Sequence, residues 1–172
     1  HLECLKWAIN NGSIINKQTV INCTINDNIE CLKYLVSINY PISGSANAAE
    51  NNSVKCLQYL IDRGYVIDEW TTANVAKLGF IKCLKILHPI NNEWSKDMCA
   101  MAAYDGQLEC LIWLNENEYE WDEHTCNMAA KHGHLEALKY AHKNGCKWSA
   151  TIWEYARCDK VKKYLKDNNC PK

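Results

Sequence analysis

Cysteine and histidine are the residues of this chain whose numbers invite a chemical reading, eleven and six among 172. Thiols and imidazoles hold zinc, thiols pair as disulfides, and a thiolate beside an imidazole is a nucleophile. Each chemistry demands a spacing. No C-x-x-C and no paired spacing of Cys with His occurs. His132 and His134 lie close together, with His124 and His142 nearby, but "HTCNMAAKHGH" supplies no H-E-x-x-H. Nor is there a G-x-S-x-G, a G-x-x-x-x-G-K or a G-x-G-x-x-G. No catalytic residue, metal site or cofactor is expected. The one regularity is that Cys4, Cys31, Cys56, Cys83 and Cys110 follow one another at 27, 25, 27 and 27 residues. That spacing belongs to architecture.

Each of these cysteines precedes a leucine, and a sixth copy of the same stretch carries Ala137 before Leu138. The anchors are Leu5, Leu32, Leu57, Leu84, Leu111 and Leu138. Apolar residues recur three before the anchor (Leu2, Ile29, Val54, Ile81, Leu108, Leu135) and three after it (Ala8, Leu35, Leu60, Leu87, Leu114, Ala141), which is helical periodicity. Seven past the anchor stand Gly12, Asn39, Gly64, Asn91, Glu118 and Gly145, mostly types that accept the left-handed conformation closing a helix. A helix B of about eleven residues is predicted. Upstream runs a shorter helix A, clearest in "TTANVAKLG", "MCAMAAYDG" and "TCNMAAKHG", with paired small residues such as Ala102–Ala103 and Ala129–Ala130. Such a unit cannot bury its apolar stripes alone, so copies must stack. The predicted fold is an all-α solenoid of helix-turn-helix units. Stacked helices lie roughly 8 to 10 Å apart, too far for a column of cysteines to pair or share zinc, so the column reads as core. Trp94, Trp121 and Trp148 share one position, filled in the other units by Ile15, Ile42 and Ile67, and also read as core, as do Trp7, Tyr34, Tyr59, Trp113 and Tyr140 along helix B.

The unit "DEHTCNMAAKHGHLEALKYAHKNGCKW" resembles an ankyrin repeat, in the A-A-x-x-G-H-L-E turn and the following "NGCKWS". The usual T-P-L-H opening is replaced by "HTCN" or "WTTA", and the period falls about six residues short of the ~33 expected. The residues missing are those of the β-hairpin finger, so fingers should be short or absent. The truncated form is similar to arrays in large DNA viruses of amoebae, a resemblance that implies a viral protein acting in host cytoplasm. A leucine-rich repeat would need an L-x-x-L-x-L strand, and tetratricopeptide units run to ~34 residues.

The array is expected to span residues 1–172 in about six repeats. It begins in mid-repeat and without Met, as a piece of a longer protein would. From about residue 150 the last repeat puts Lys162 at the anchor, as a capping repeat requires. Pro89, five beyond Leu84, should shorten or kink its helix B.

A net charge of −1 and a pI of about 6.6 argue against nucleic acid, and no apolar run approaches a membrane span. Charge is uneven: residues 105–123 hold seven acidic and no basic residues, and residues 131–172 ten basic and four acidic. Many thiols suit a reducing, cytoplasmic setting. The expectation is a monomeric, non-enzymatic scaffold that binds a partner protein. The alternative is the substrate-receptor arm of an enzyme or ubiquitin-ligase adaptor whose active domain lies upstream of residue 1. In ankyrin-like stacking helix A lines the concave side, which selects Trp70 and Lys77, Asp97 and Tyr104, His124 and Lys131 as partner-binding residues. Each pair is seven residues apart and so near one helix face.

Overall fold

The computed structural model describes residues 1–42, 45–90 and 97–170, and among these the chain forms thirteen α-helices and no strand. Asn91 and Trp94 lie outside the described residues. Two compact units are present, His1–Thr71 and Thr72–Lys172. The first holds α1 (Leu2–Asn10), α2 (Lys17–Ile25), α3 (Ile29–Ser37), α4 (Ser45–Glu50) and α5 (Val54–Asp62), and α6 (Glu69–Lys77) carries the chain into the second. The second continues with α7 (Ile81–Leu87), α8 (Asp97–Tyr104), α9 (Leu108–Glu116), α10 (Glu123–His132), α11 (Leu135–Lys143), α12 (Ile152–Tyr155) and α13 (Asp159–Asp167). Odd-numbered helices are the B copies and even-numbered helices the A copies.

Within each unit, like packs on like. In the first, α2 packs on α3 and α4, and α3 lies beside α1 and α5. In the second, α8 packs on α9 and α10, α10 on α11 and α12, and α9 lies beside α7 and α11. The anchors Leu32, Leu57, Leu84, Leu111 and Leu138 have no exposed surface. Each contributes about 1.5–3 kcal/mol of burial. Ala102, Ala103, Ala129 and Ala130 are likewise fully buried, and their small side chains let α8 and α10 approach closely.

Most complete B helices span nine residues rather than eleven, because the last two predicted positions form the cap. Gly12, Asn39, Gly64, Glu118 and Gly145 all have positive φ, and so does Asn169 in the last copy. The following amide turns back to the carbonyl three past the anchor, as in Tyr119 N to Leu114 O (3.1 Å) and Cys146 N to Ala141 O (3.0 Å). This satisfies carbonyls a helix end leaves orphaned. In α7 the α-helix stops at Leu87, and His88–Ile90 continue as a 3₁₀ turn around Pro89.

Three A helices, α2, α6 and α10, start on capping side chains. Asn16 and Thr19 form a reciprocal capping box, Asp68 Oδ1 accepts from Thr71 N at 2.7 Å, and Asp122 Oδ1 accepts from His124 N at 2.9 Å. These three caps, Asn16, Asp68 and Asp122, stand eleven past Leu5, Leu57 and Leu111, a spacing the helical periodicity did not reveal because it lies in the links.

The turn from helix A to helix B reaches positive φ at Asp27, Asn52, Gly79, Gly106 and Gly133. Successive copies meet there in two ways. In the second unit a side chain of the next copy lies over the glycine, so that a Cβ at Gly79 would strike Gln107 and one at Gly106 would strike the His134 ring. In the first unit Asp27 stands in place of glycine. Its Oδ1 caps the next B helix by accepting from Cys56 N at 2.9 Å, while Ser53 Oγ donates to Ile25 O at 3.2 Å.

Candidate partner-binding surface

The six residues chosen from the sequence fall at the two ends of the A helices. Trp70, Asp97 and His124 occupy first turns and are exposed, with Trp70 keeping 67% of its surface. Lys77, Tyr104 and Lys131 occupy last turns and are half-buried. An indole left two-thirds in water on a helical turn is not required by the core.

The last-turn residues form a connected set in the second unit. Lys77 Nζ lies over the Tyr104 ring, 4.6 Å from its centroid, and the His132 ring lies against Tyr104 at 3.9 Å with the planes tilted by 36°. His134, at the start of α11, continues the row at 6.4 Å from His132, nearly parallel. Burial, then Lys131 and His134, hold the His132 imidazole below its usual pKa, with Arg157 adding to this and Asp105 opposing it. Among the described residues, Lys77, Lys131 and Arg157 have no carboxylate within ion-pair distance.

Two members of this set escaped the sequence reading. His132 is exposed and stacks on Tyr104. Arg157 stands in the last copy where the other units place Gly, Asn or Asp, and a basic residue at that turn position is the signal that could have found it. His134 sits at the N-cap of α11 without a side-chain cap bond and covers Gly106.

The B helices tie to one another through polar aromatics. His88 Nδ1 meets Tyr119 Oη at 2.6 Å, Asn115 Nδ2 donates to Tyr140 Oη at 3.1 Å, and His142 Nδ1 meets Tyr164 Oη at 3.0 Å. His142 also stacks on Trp148 at 4.0 Å, and burial lowers its pKa. Tyr34, Tyr59, Trp113 and Tyr140 are half-buried in keeping with a packing stripe, whereas Trp7 is 68% exposed.

All eleven cysteines are free thiols. In the repeating column Cys31, Cys56, Cys83 and Cys110 are buried, and Cys4 is exposed because α1 buries none of its residues. Burial pushes the thiols of Cys23 and Cys110 up to about 11 and those of Cys56 and Cys99 up to about 12. Cys126 donates to the Cys146 sulfur at 2.8 Å, which raises the Cys126 pKa and lowers that of Cys146. A cavity of about 550 Å³ opens beside α1, α2 and α3, lined in part by Cys4, Cys23 and Cys31. Among the described residues no group of His, Cys, Asp and Glu is arranged to hold a metal ion, and no helix is long and apolar enough to cross a membrane.

Stacked helix pairs with a left-handed closing residue and a glycine turn define an all-α array with the ankyrin-repeat fold. Among solved structures, the human ASB11 ankyrin repeat domain matches this chain with a TM-score of 0.70. The match covers 86% of this chain and 82% of that one at 16% identity, a likeness of fold. No family model matches the chain, and no curated protein matches it.

Proposed function

We propose that this chain is a non-enzymatic, monomeric scaffold that binds a partner protein on its helix A side, concave in ankyrin-like stacks. The observation that carries the reading is Trp70, a large apolar side chain 67% exposed on the first turn of α6 where packing does not require it. Exposed aromatics of this kind supply the anchors that dominate protein interfaces. The repeating leucines, cysteines and alanines complete the core, so the partner reads residues that change from copy to copy: Trp70, Lys77, Asp97, Tyr104, His124 and Lys131. A stack of short helices holds them in place before binding, which limits the ordering entropy lost. Eleven free thiols favour a reducing compartment, the cytoplasm, and a viral origin would make the partner a host protein.

Affinity capture with the full chain, compared across variants, tests this. Trp70→Ala with Tyr104→Ala is expected to weaken binding at least tenfold, about 1.4 kcal/mol, with helicity retained by circular dichroism. The control changes Lys33, Lys85 and Lys139 on the B helices to Ala. Two of these only pair locally, with Glu30 and Glu136, so the stack should tolerate their loss. Binding abolished by the control and kept by the Trp70 and Tyr104 variant would place the partner on the helix B side.

A further inference from the structure

We infer that the row of last-turn side chains in the second unit, Lys77, Tyr104, Lys131 and His132 with Arg157, is a recognition strip for an acidic peptide segment of the partner. The inference rests on the helix A reading above and names the chemistry of what binds there. Three positive side chains, Lys77 on α6, Lys131 on α10 and Arg157 in the link after α12, have no carboxylate in ion-pair range among the described residues. Cations in a last helical turn complement the helix dipole. That accounts for the position of Lys77 and Lys131 but not for Arg157, which lies outside any helix, nor for the aromatic row that joins them.

Tyr104 organises the strip. Its ring receives Lys77 Nζ at 4.6 Å and the His132 ring at 3.9 Å. A lysine held over an aromatic face gives up part of its freedom before any partner arrives, so less ordering entropy remains to be lost. Tyr104 from α8 and His134 from the start of α11 stack with His132, while Lys131 from α10, Arg157 from the link after α12 and Asp105 act on it through their charge. Burial, and then Lys131, His134 and Arg157, disfavour its protonation, so at neutral pH the imidazole contributes little charge. An incoming carboxylate reverses that balance, and His132⁺ then adds a further donor.

A carboxylate-bearing chain suits this strip better than nucleic acid. The Tyr104 ring is already engaged by Lys77 and His132 and offers no open platform for base stacking. With three fixed cations and a net charge of −1, the chain lacks the broad positive field that a phosphate backbone requires. Carboxylates spaced along an extended peptide can instead meet the cations one at a time.

The test titrates the full chain, by fluorescence anisotropy at low salt, with three fluorescein-labelled probes. They are a twelve-residue peptide alternating Glu and Ser, its Gln counterpart, and a twelve-nucleotide oligothymidylate. The Glu peptide should bind at least tenfold more tightly than the Gln peptide. Its affinity should rise severalfold from pH 7.5 to 5.5 and fall with added salt. Lys77→Ala, Lys131→Ala and Arg157→Ala together should weaken it at least tenfold. Removing the same charge from exposed positions of α13, by Lys160→Ala, Lys162→Ala and Lys163→Ala, should change it less than threefold. Tyr104→Phe should keep the affinity and Tyr104→Ala should lose it. Equal binding of the Glu and Gln peptides, tighter binding of the oligonucleotide, or an equal loss in the α13 variant would each overturn the strip. If the strip fails while capture of the partner still depends on Trp70, the acidic chemistry is wrong and the helix A reading stands. If capture depends on neither Trp70 nor Tyr104, the helix A reading itself is wrong.

Discussion

A residue in this fold is either repeated or singular, and the two kinds differ in what they cost to change. Leu84 has no exposed surface, so Leu84→Ala should destabilise by about 2–5 kcal/mol in chemical denaturation. Lys85, exposed beside it, should change stability by less than about 0.5 kcal/mol as Ala. Similar values for the two would show that the register of α7 is wrong. The buried thiols predict a pH dependence with a definite sign. Cys56 and Cys99 titrate near 12 in the folded chain and near 9 when exposed. Their contribution is therefore complete below pH 9 and is lost as the pH rises toward 12, on the order of 1 kcal/mol per pH unit for each thiol. Urea midpoints measured from pH 8 to 11 should fall, and Cys56→Ala with Cys99→Ala should flatten that fall even if the variant starts less stable. Alkylation of the native chain should reach exposed Cys4 quickly and leave Cys31, Cys56, Cys83 and Cys110 nearly untouched. Fast labelling of all five would return the column to chemistry.

At the scale of the element, capping decides where helices stop and start. Asp68 accepts from both the amide and the hydroxyl of Thr71, at 2.7 and 3.0 Å. Asp68→Ala should therefore cost about 1 kcal/mol by denaturant titration. Asp68→Asn, which keeps an acceptor, should recover much of it, and equal losses would show that the cap bond is not what stabilises α6. Helix existence, type and order could be read from the sequence because the anchors and the small-residue pairs repeat, and repetition averages out local irregularity. The nine-residue length could not, since the left-handed residue that closes the B helices other than α7 was counted as part of them. Pro89 was legible because proline removes a donor wherever it stands, and the 3₁₀ turn after Leu87 is the local result. Cys4 shares its column with buried residues and Trp7 with half-buried ones, so no pattern within the sequence separates them. Their exposure follows from α1, which buries none of its residues.

At the scale of the whole molecule, contacts within each unit run chiefly between neighbouring copies, so protection should follow position. In native-state hydrogen exchange the amides of α1 should exchange well before those of α9, whose Cys110, Leu111 and Leu114 are buried. The reverse order would contradict a stack that frays from its ends. The candidate surface was less legible than the core. Trp70 stood out as an aromatic off the repeating columns, but the stacking of His132 on Tyr104 joins side chains 28 positions apart and needs the packed helices to become visible. The seams between copies have a consequence for how such a chain can lengthen. Each seam is written half in one copy and half in the next. A glycine accepts the covering side chain of its successor, as Gly106 accepts His134, whereas Asp27 carries a carboxylate there that caps the next B helix at Cys56 N, and the small Ser53 holds the covering position. A copy duplicated beside itself in the second unit keeps a glycine opposite a covering side chain. A copy moved from there to follow Asp27 would set Gln107 or His134 against a carboxylate already in place. The array can therefore grow by local tandem copying far more easily than by shuffling, and its copies form an ordered series rather than interchangeable modules.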